Sequence, residues 1–453
     1  MRSKSLTVTA VTIALGTALA AQTAGADILT VDRAVQLALK QGSQAIQAEA
    51  GVLDAKGGMW NAYSGVLPHV SASASRGLGI TDYKPGEQVF GAFAIPQPER
   101  RESYSTTPGI SGSWSILNLS SLSNLSAARS VLKGSKLQRT AARQEIAFNA
   151  RRQFYEVVKA IKLAEVSDGA LRVSRDNERR VRALFEVGSV SRSDVLKAQV
   201  QTSRSELDSL TQHHAITLQR LALATLLGVP EAGMDAVDTV LTAEARDYDE
   251  ASMLQEASRN RPDLMATESE LSAARASLRA SRWARLPYLT ASASYDFRPK
   301  SETKTTVSDS TGMRSSFSST SESNFQFGGS LAINLDLFNG FATDARIASS
   351  RARLMRAQDA RDALHRNLAA DVHQALLTYR EVIAGRELAS RALDSATESL
   401  KLTQQKYNVG SATILELVDA QVQLQRAQSD VVSSTAAIRV SEAQLNRVLG
   451  RGE

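Results

Sequence analysis

The 453-residue chain contains no cysteine. This absence excludes disulfide bonds, cysteine metal sites and an N-terminal cysteine that could carry a lipid. Aromatic residues make up only 5% of the chain, which is little for a large globular core. Alanine, serine, glutamine and leucine are abundant instead, a composition typical of long helices packed side by side.

Groups that carry chemistry are scarce as well. His365 and His373 are eight residues apart, and His213 and His214 are adjacent, so neither pair has the spacing of a helical metal site. The chain has no G-x-S-x-G motif, no phosphate-binding glycine loop and no H-E-x-x-H motif. The sequence therefore predicts no catalytic, cofactor or metal site, and no enzyme.

Neither sign of charge dominates the chain. Lys and Arg number 53 against 47 Asp and Glu, a formal net charge of +6. Removing Arg2 and Lys4 with the N-terminal segment leaves a net charge of +4. Nucleic-acid binding needs clustered positive charge, so this balance gives it no support.

The N-terminus has the pattern of a secretory signal peptide. Arg2 and Lys4 precede an uncharged apolar run over residues 6–21, and small residues at 24–26 offer a cleavage site before Asp27. A transmembrane anchor is the alternative, but the run is short for one. Beyond residue 26 no other run reaches the length of a membrane helix. We therefore expect an exported protein that is periplasmic, secreted or inserted in an outer membrane.

The chain repeats itself after 219 to 222 residues. Each copy holds strand-like segments followed by long helical segments, so we infer the duplication of a half-chain unit. The matching segments are residues 67–75 and 286–294, Val187-Gly188-Ser189 and Val409-Gly410-Ser411, 198–201 and 420–423, and Leu227-Gly228 and Leu449-Gly450.

Four segments alternate between apolar residues and small polar residues. They are residues 70–75, 110–116, 289–297 and 324–337. Their length and period fit tilted strands of a membrane barrel with a wet interior. A soluble sheet with one solvated face is the alternative. Arg76 falls on an apolar face, which suggests a rim position or a bulge near Gly77.

Polar segments separate the strands of each pair. Residues 81–107 contain Pro85, Pro96 and Pro98, with Pro108 directly after them, and residues 299–323 are more than half serine and threonine. We interpret both as turn-like loops on the cell exterior, or as disordered linkers.

Two long helical hairpins account for the rest of each copy. Residues 119–186 contain no proline and predict a helix of about 100 Å, and residues 343–406 repeat the design. A Val-Gly-Ser turn and a second helix follow each one. Heptad spacing predicts a coiled-coil seam in both second helices, looser in the first because His214 interrupts it. The seam residues are Leu196, Val200, Leu207, Leu210 and Leu221, then Leu417, Leu424, Val431, Ile438 and Leu445.

Four strands cannot close a barrel with a wet interior, and open edges in lipid would leave backbone groups unpaired. Three chains would supply twelve strands and six hairpins. The predicted fold class is therefore mainly α with membrane β: coiled-coil hairpins that form a periplasmic tunnel, and four strands per chain in a trimeric 12-stranded barrel.

The predicted organisation follows the repeat. In chain order it comprises a signal peptide (1–26), N-terminal helices (27–66), a first strand pair with an extracellular loop (67–118), a first hairpin with its tip near 187–189 (119–228), a connector (229–262), a helix of the second copy (263–284), a second strand pair with an extracellular loop (285–338) and a second hairpin with its tip near 409–411 (339–450).

The whole mature chain resembles the TolC-like outer-membrane efflux family. The resemblance rests on the repeat, on the Leu-Pro that opens each first strand, and on three motifs at residues 260–264, 337–340 and 407–410. It implies a homotrimer in outer-membrane lipid with a long periplasmic portion. It also implies a periplasmic adaptor (a membrane fusion protein), an inner-membrane ABC or proton-driven transporter, and a cargo of drugs, small molecules or secreted proteins.

The resemblance assigns roles at the hairpin tips. Tyr407 and Asp194 would hold the tunnel closed, and the Val-Gly-Ser turns (Val187, Gly188 and Ser189; Val409, Gly410 and Ser411) would contact the adaptor. Glu416 and Asp419 would ring the narrow entrance and favour cations. From the residues alone, these carboxylates also fit a solvated helix face, and Tyr407 fits a buried tip aromatic. Ala412 stands where the family has an arginine, and Arg192 is a substitute for its charge.

Two other functions fit parts of the pattern. A periplasmic coiled-coil adaptor would have helical hairpins but no need for four amphipathic strands. A non-conducting envelope spacer would have the helical hairpins and the strands but no pore.

Overall fold

The structure is a computed structural model that describes residues 28–83, 87–90, 93–96, 98–230, 237–241, 246–308 and 313–451. The signal peptide predicted at residues 1–26 lies outside these ranges.

Helices and strands follow the order of the repeat. They are α1 (Val31–Gln41), α2 (Ser43–Ser64), β1 (His69–Asp82), β2 (Glu87–Phe90), β3 (Phe93–Pro96), β4 (Pro98–Leu117), α3 (Leu119–Glu186), α4 (Arg192–Leu227), α5 (Glu250–Asn260), α6 (Pro262–Trp283), β5 (Tyr288–Arg298), β6 (Ser301–Ser308), β7 (Arg314–Ser321), β8 (Asn324–Asn334), α7 (Ala342–Asn408) and α8 (Ile414–Val448).

The main sheet is antiparallel throughout. β1 pairs with one edge of β4, and the other edge of β4 pairs with β5 in its C-terminal part and with β6 in its N-terminal part. β8 pairs with β5, and β7 pairs with β6. Strands β1, β4, β5 and β8 contain the four alternating segments, as predicted. β8 ends at Asn334, however, so Leu335 and Leu337 lie beyond the strand that the alternation predicted.

The interpretation of the polar segments as loops or linkers is wrong for the residues that the structure describes. β6 and β7 form a continuous ladder from Ser301↔Ser321 to Ser308↔Arg314, and β2 pairs with β3. β6 contains three threonines and one valine in eight residues, and β-branched residues favour strands. Pairing with β4 gives the ladder a template that composition does not reveal.

The bulge predicted near Gly77 is also wrong. The β1–β4 register runs without a shift from His69↔Ser113 to Asp82↔Arg100, with Arg76 opposite Thr106 in mid-strand. The register shifts in this sheet fall instead between Ser115 and Leu117, where β4 pairs with β5, and between Pro98 and Arg100, where β4 pairs with β6.

The sheet is a single layer that is open on both faces. Every residue of β1 is exposed. Serine hydroxyls pair across one face, with 3.0 Å between Ser71 and Ser111 and 2.7 Å between Ser292 and Ser330. Large apolar side chains stand exposed on β8, among them Phe325, Phe327, Leu331 and Ile333. A sheet normally buries its apolar face against another layer, and the described residues supply no such layer here.

The helices carry the cores. α3 runs for 68 residues, a length of about 100 Å, over the range that the sequence predicts. Its apolar stripe, including Ile146, Phe154 and Val157, is buried against α1 and the end of α4. A second core joins α5, α7 and α8 around the fully buried Tyr379. None of the described helices is long and apolar enough to cross a bilayer.

The two predicted seams have different outcomes. In α8, Leu417, Ile438 and Leu445 are buried, as predicted. In α4 the predicted seam residues are not buried within the single chain: Leu196, Val200, Leu207, Leu210 and Leu221 are all exposed.

Small residues of α4 face α3 instead. Ala198, Ser205 and Ser209 are buried there, and the hydroxyls of Ser174 and Ser205 lie 2.9 Å apart. Small side chains let two helices approach closely, so the larger leucines are turned away from the hairpin. The apolar stripe of α4 is left without a partner in the described part of the chain.

The junction between β8 and α7 has an unusual backbone. Gly340 and Phe341 both have φ of 64°, and Phe341 is the only non-glycine residue with positive φ among the described residues. The left-handed conformation costs a non-glycine residue about 1–2 kcal/mol. Phe341 therefore stores strain at the first turn of α7.

Replacing Phe341 separates this strain from the effect of the ring. We expect Phe341→Gly to unfold at a higher temperature than Phe341→Ala, because only glycine adopts positive φ without strain. The difference should be about 1 kcal/mol, opposite to the usual helix preference for alanine. Thermal unfolding in detergent, followed by circular dichroism, measures it. An alanine variant as stable as the glycine variant would contradict the strain.

Candidate functional site at the hairpin tips

Both hairpins turn through the same backbone motif. Gly188 and Gly410 each have φ of 77°. The amide of Ser189 donates to Leu184 O at 2.8 Å, and that of Ser411 donates to Lys406 O at 2.9 Å. These bonds close the last turn of α3 and of α7 in a Schellman motif. The duplicated Val-Gly-Ser segments therefore have duplicated geometry.

The next helix of each hairpin begins with a capping box. Asp194 accepts from the Ser191 hydroxyl at 2.7 Å, and Glu416 accepts from the Thr413 hydroxyl at 2.9 Å. Each hydroxyl in turn accepts from the backbone amide of its acidic partner. Such reciprocal bonds satisfy donors that a helix N-terminus leaves free. In the single chain, both predicted site carboxylates thus act as helix caps.

The hydrogen bond from Ser191 lowers the pKa of Asp194, and the nearby Lys197 ammonium adds to the effect. Asp194 is therefore ionised at neutral pH. Because its pKa is depressed in the folded state, the stability that it contributes is present above its unfolded pKa and is lost as the pH falls through the folded value.

A small core joins the two hairpins at their tips. Val181 of α3, Ala198 of α4, and Ile414 and Leu417 of α8 are buried together. Val190, Val195, Leu400, Tyr407 and Val418 pack around them. The tips of the two hairpins therefore pack against each other, so a change in the packing of one tip alters the contacts of the other.

Tyr407 packs against this core and brings a polar phenol hydroxyl into it. The hydroxyl oxygen is buried and has no hydrogen-bond partner among the described residues. Burial is the main cause that raises the pKa of Tyr407, and the negative charge of Asp194 adds to it. The charge of Asp194 thus acts on Tyr407, but among the described residues no hydrogen bond joins them.

Arg180 is the tip residue that the sequence reasoning missed. Its charge acts on Tyr407 and opposes the rise in the pKa of that phenol. Arg192, suggested as the substitute for the family arginine, is the exposed first residue of α4 and forms no ion pair within the described ranges. A comparison of the two copies could have pointed to Arg180, because the residue that aligns with it in the other copy is the uncharged Leu402.

Asp419 lies one helical turn beyond Glu416 on α8, and both side chains are exposed. The apolar side chains of Val187 and Val409 project from the turns and are 74% and 79% exposed. Exposed apolar groups at two equivalent turns are typical of a surface that meets another protein.

A groove of about 320 Å³ lies between α4 and α8 beside these turns. Apolar and basic side chains line it together. They include Leu196, Val200, Leu415 and Val418, with Lys197 and Arg204.

No group of three or more potential metal ligands occurs in the part of the chain that the structure describes. His213 contacts Asp168 at 3.1 Å and His373 contacts Glu250 at 3.0 Å, each across neighbouring helices. These histidines pair with carboxylates on the helical surface.

The duplicated strands, hairpins and tips agree with a known family. The family profile described as "Outer membrane efflux protein" matches residues 17–229 and 253–451. The chain belongs to the outer membrane efflux protein family. The resemblance to TolC-like proteins is confirmed. The family match also favours a channel over an adaptor or a spacer.

Individual relatives extend this finding. The chain is 22% identical over 389 residues to outer membrane protein TolC of Vibrio cholerae, which covers 85% of this chain and 83% of that protein. The crystal structure of the outer membrane protein VceC from Vibrio cholerae matches with a TM-score of 0.74 at 18% identity, covering 93% of this chain and 96% of the other. The Campylobacter jejuni CmeC outer membrane channel matches with a TM-score of 0.75 at 14% identity, covering 93% and 86%.

The prediction of a mainly helical chain with a smaller sheet and a TolC-like channel fold is thereby confirmed. The relatives are outer membrane proteins and channels, which supports an outer-membrane location and points to a protein that is not an enzyme.

The tip geometry yields a mutational test. A Cβ added at Gly410 would meet no atom within 4 Å, so Gly410→Ala tests backbone strain alone. We expect it to lower the free energy of unfolding by about 1–2 kcal/mol, because φ is positive there. Thermal unfolding and hydrogen exchange at the Ser411 amide measure the effect.

Gly385→Ala is the matched control. Gly385 lies within α7, also has open space around it and has no positive φ. It should raise the free energy of unfolding by about 1 kcal/mol, since alanine is the better helix former. Equal effects of the two substitutions would contradict the turn described here.

Proposed function

We propose that three copies of this chain form an exit duct through the outer membrane. The duct carries drugs, small molecules or secreted proteins from the periplasm to the exterior. It is closed at the helix tips and is recruited by a periplasmic adaptor and an inner-membrane ABC or proton-driven transporter. The single-layer sheet with two open edges is the observation that carries the proposal.

The sheet edges call for further copies. Among the described residues, no strand pairs with the outer edge of β1 or of β8. In lipid each unpaired backbone group would cost several kcal/mol. Pairing β8 of one chain with β1 of the next removes both edges, and three chains then give a closed set of twelve long strands.

The surfaces of the sheet suit this arrangement. The exposed apolar side chains of β8 face lipid, and the serine hydroxyls of the opposite face line a wet interior. Residues 67–118 and 285–338 supply the barrel, and residues 119–228 and 339–450 supply the tunnel. The exposed leucine stripe of α4 is then covered by a neighbouring copy. Residues 1–26 are removed on export as a signal peptide.

The gate lies at the tips. Tyr407, Asp194 and Arg180 form a cluster in each chain, and a neighbouring copy supplies the missing partner of the buried phenol. Glu416 and Asp419 from three copies place six carboxylates around the entrance, which favours cations. Arg192 lies at the mouth of the same turn.

The adaptor contacts the exposed turns. Val187, Gly188, Ser189, Val409, Gly410 and Ser411 offer two equivalent apolar tips per chain. The groove between α4 and α8 offers apolar walls with Lys197 and Arg204, which suit a helical partner with acidic side chains. The transporter supplies the energy, because the duct itself is passive.

Planar-bilayer recording tests the duct and its charge ring. Purified protein, running as an SDS-resistant trimer, should give cation-selective currents. Glu416→Gln with Asp419→Asn should move the reversal potential in a salt gradient towards zero, because six carboxylates are lost. Glutamine at position 416 keeps the capping box, so the tip stays folded.

Asp359→Asn is the control for this pair. Asp359 is 82% exposed on α7, far from the tip, and its loss should leave selectivity unchanged. Absence of any conductance would refute the duct. Conductance with an unchanged reversal potential in the double variant would refute the carboxylate ring alone.

Tyr407→Phe tests the latch. Open probability should rise if the phenol hydroxyl holds neighbouring tips together in the trimer. The isolated chain should lose little stability, about 1 kcal/mol at most, because the hydroxyl has no partner there. Tyr63→Phe is the control, since Tyr63 binds Arg129 far from the tip. Unchanged gating in Tyr407→Phe would remove Tyr407 from the gate.

A further inference from the structure

Positive charge is concentrated in the helical segments nearest the sheet. Residues 119–143, 271–285 and 342–358 contain 13 Lys and Arg and a single acidic residue, Asp344. The whole chain has 53 basic against 47 acidic residues, so the rest of the chain carries a net negative charge. Segregated charge of one sign creates a field that attracts a partner of the opposite sign.

Six of these cations form one row across two neighbouring helices. They are Arg129, Lys133 and Lys136 on α3, and Arg275, Arg279 and Arg282 on α6. Each set has the spacing i, i+4, i+7, which places it on one face of its helix. All six side chains are exposed, and none forms an ion pair with another residue that the structure describes.

Contacts between α3 and α6 fix the order of the row. The hydroxyls of Ser130 and Ser272 lie 3.4 Å apart, and a Cβ added at Gly134 would lie 3.4 Å from the Cβ of Ser269. Because the helices are antiparallel, this register places the α6 cations beside residues 121–128 and the α3 cations next, at 129–136. The row therefore runs for about 22 Å along the helices. It begins beside Trp283, where α6 ends below the sheet.

The row lies on the convex face of the helical layer. On α3, Gly134 contacts α6 and Ser135 contacts α2; on α6, Ser269 contacts α3 and Ser281 contacts α7. At 100° per residue, the contacts with the two neighbours lie only about 100–120° apart around each helix. The cations occupy the middle of the wider arc that remains on each helix. In a closed tunnel, this convex face is the exterior.

The two ends of the row lie at different depths below the sheet. Arg279 and Arg282 are within about 6 Å of Trp283 along the axis of α6. The headgroup zone of a bilayer is about 5–8 Å deep on each side, so these two side chains lie at its level if the sheet spans the membrane. Lys133 and Lys136 are about 20 Å or more from Trp283 along the axis, well beyond a screening length of about 8 Å.

We propose that Arg275, Arg279 and Arg282 of each copy bind the headgroups of anionic phospholipids in the periplasmic leaflet. The proposal rests on the proposed function for the position of the sheet in the outer membrane. Three copies present nine guanidinium groups around the tunnel. Each guanidinium offers a planar set of N–H donors that matches phosphate oxygens, and a basic cluster beside a bilayer collects anionic lipid.

Depth favours lipid over an acidic protein as the occupant. The arginines nearest the sheet have long side chains that reach towards the headgroups. An acidic protein lying along the convex face would engage Lys133 and Lys136 as strongly as the arginines of α6. The two ends of the row therefore distinguish the two partners.

Spin-labelled lipids test the headgroup site. The full-length protein is reconstituted in phosphatidylcholine vesicles with a trace of phosphatidylglycerol or phosphatidylcholine that carries a spin label on its acyl chain. Electron paramagnetic resonance measures the fraction of each label whose motion the protein restricts. We expect a preference of about two- to threefold for phosphatidylglycerol at low salt. It should disappear in 1 M NaCl, where the screening length is about 3 Å.

Two double variants remove equal charge from the two ends of the row. Arg279→Gln with Arg282→Gln should abolish most of the preference. Lys133→Gln with Lys136→Gln, about 18 Å farther from the sheet, should keep it. Glutamine is a good helix former, so both variants should still run as SDS-resistant trimers. Arg279→Lys with Arg282→Lys keeps the charge and should keep the preference.

The outcomes separate this proposal from the proposed function. Loss of the preference in the arginine-to-glutamine variant alone supports the headgroup site. No preference in the wild type, equal loss in both glutamine variants, or loss in the lysine variant overturns it. In each of those cases, restricted phosphatidylcholine still shows that the sheet lies in the bilayer, so the duct stands. If neither label is restricted, both the headgroup site and the membrane position of the sheet are refuted.

Discussion

Backbone hydrogen bonding at a sheet edge is the constraint on which the rest of this structure depends. β1 and β8 each leave one long edge without a partner in the described chain. Among the described residues, neither face of the sheet is covered by a second layer. Each unpaired backbone group at such an edge would cost several kcal/mol in lipid, and the proposed trimer removes this cost by pairing the edges. The leucines of α4 are exposed as well, and the described part of the chain supplies no surface that covers them.

The duplicated unit builds the tips of both hairpins with the same backbone geometry. The same Schellman turn and the same capping box end and restart the helices of both hairpins. Their differences lie in side chains that do not alter the turn: Phe185 against Tyr407, and Lys197 against Asp419. The backbone of the tip is thus fixed by local hydrogen bonds, while its polarity varies between the copies.

Local signals made much of the fold readable from the sequence. The absence of proline over residues 119–186 and the capping asparagine before them define α3, and the alternation of Leu289 to Phe297 defines β5. Strands β6 and β7 escaped notice because serine and threonine serve loops and strands alike, and only pairing with β4 decides between them. The sequence could not show that the α4 leucines would lie outside their own hairpin, because heptad spacing indicates that a helix has a partner but not which helix it is.

At the tip, the family resemblance assigned Tyr407 and Asp194 to a closed state, but sequence reasoning did not identify Asp194 and Glu416 as helix caps. A capping box is itself a local motif, and Ser191 and Thr413 carried its signal. Arg180 comes from a different helix face, and its nearness to Tyr407 depends on how the two hairpins pack.

The two strand-to-helix connections differ in mechanical slack. One residue, Asn118, links β4 to the 68-residue α3, so a twist or tilt of the first hairpin passes almost rigidly into the sheet. Seven residues, 335–341, lie between β8 and α7, and they absorb rotation that the first connection transmits. The first hairpin is therefore connected rigidly to the sheet. The second hairpin has a longer connection, which lets it rotate relative to the sheet. Displacement at the tip of the second hairpin can then occur without deforming the strands that hold the protein in its membrane.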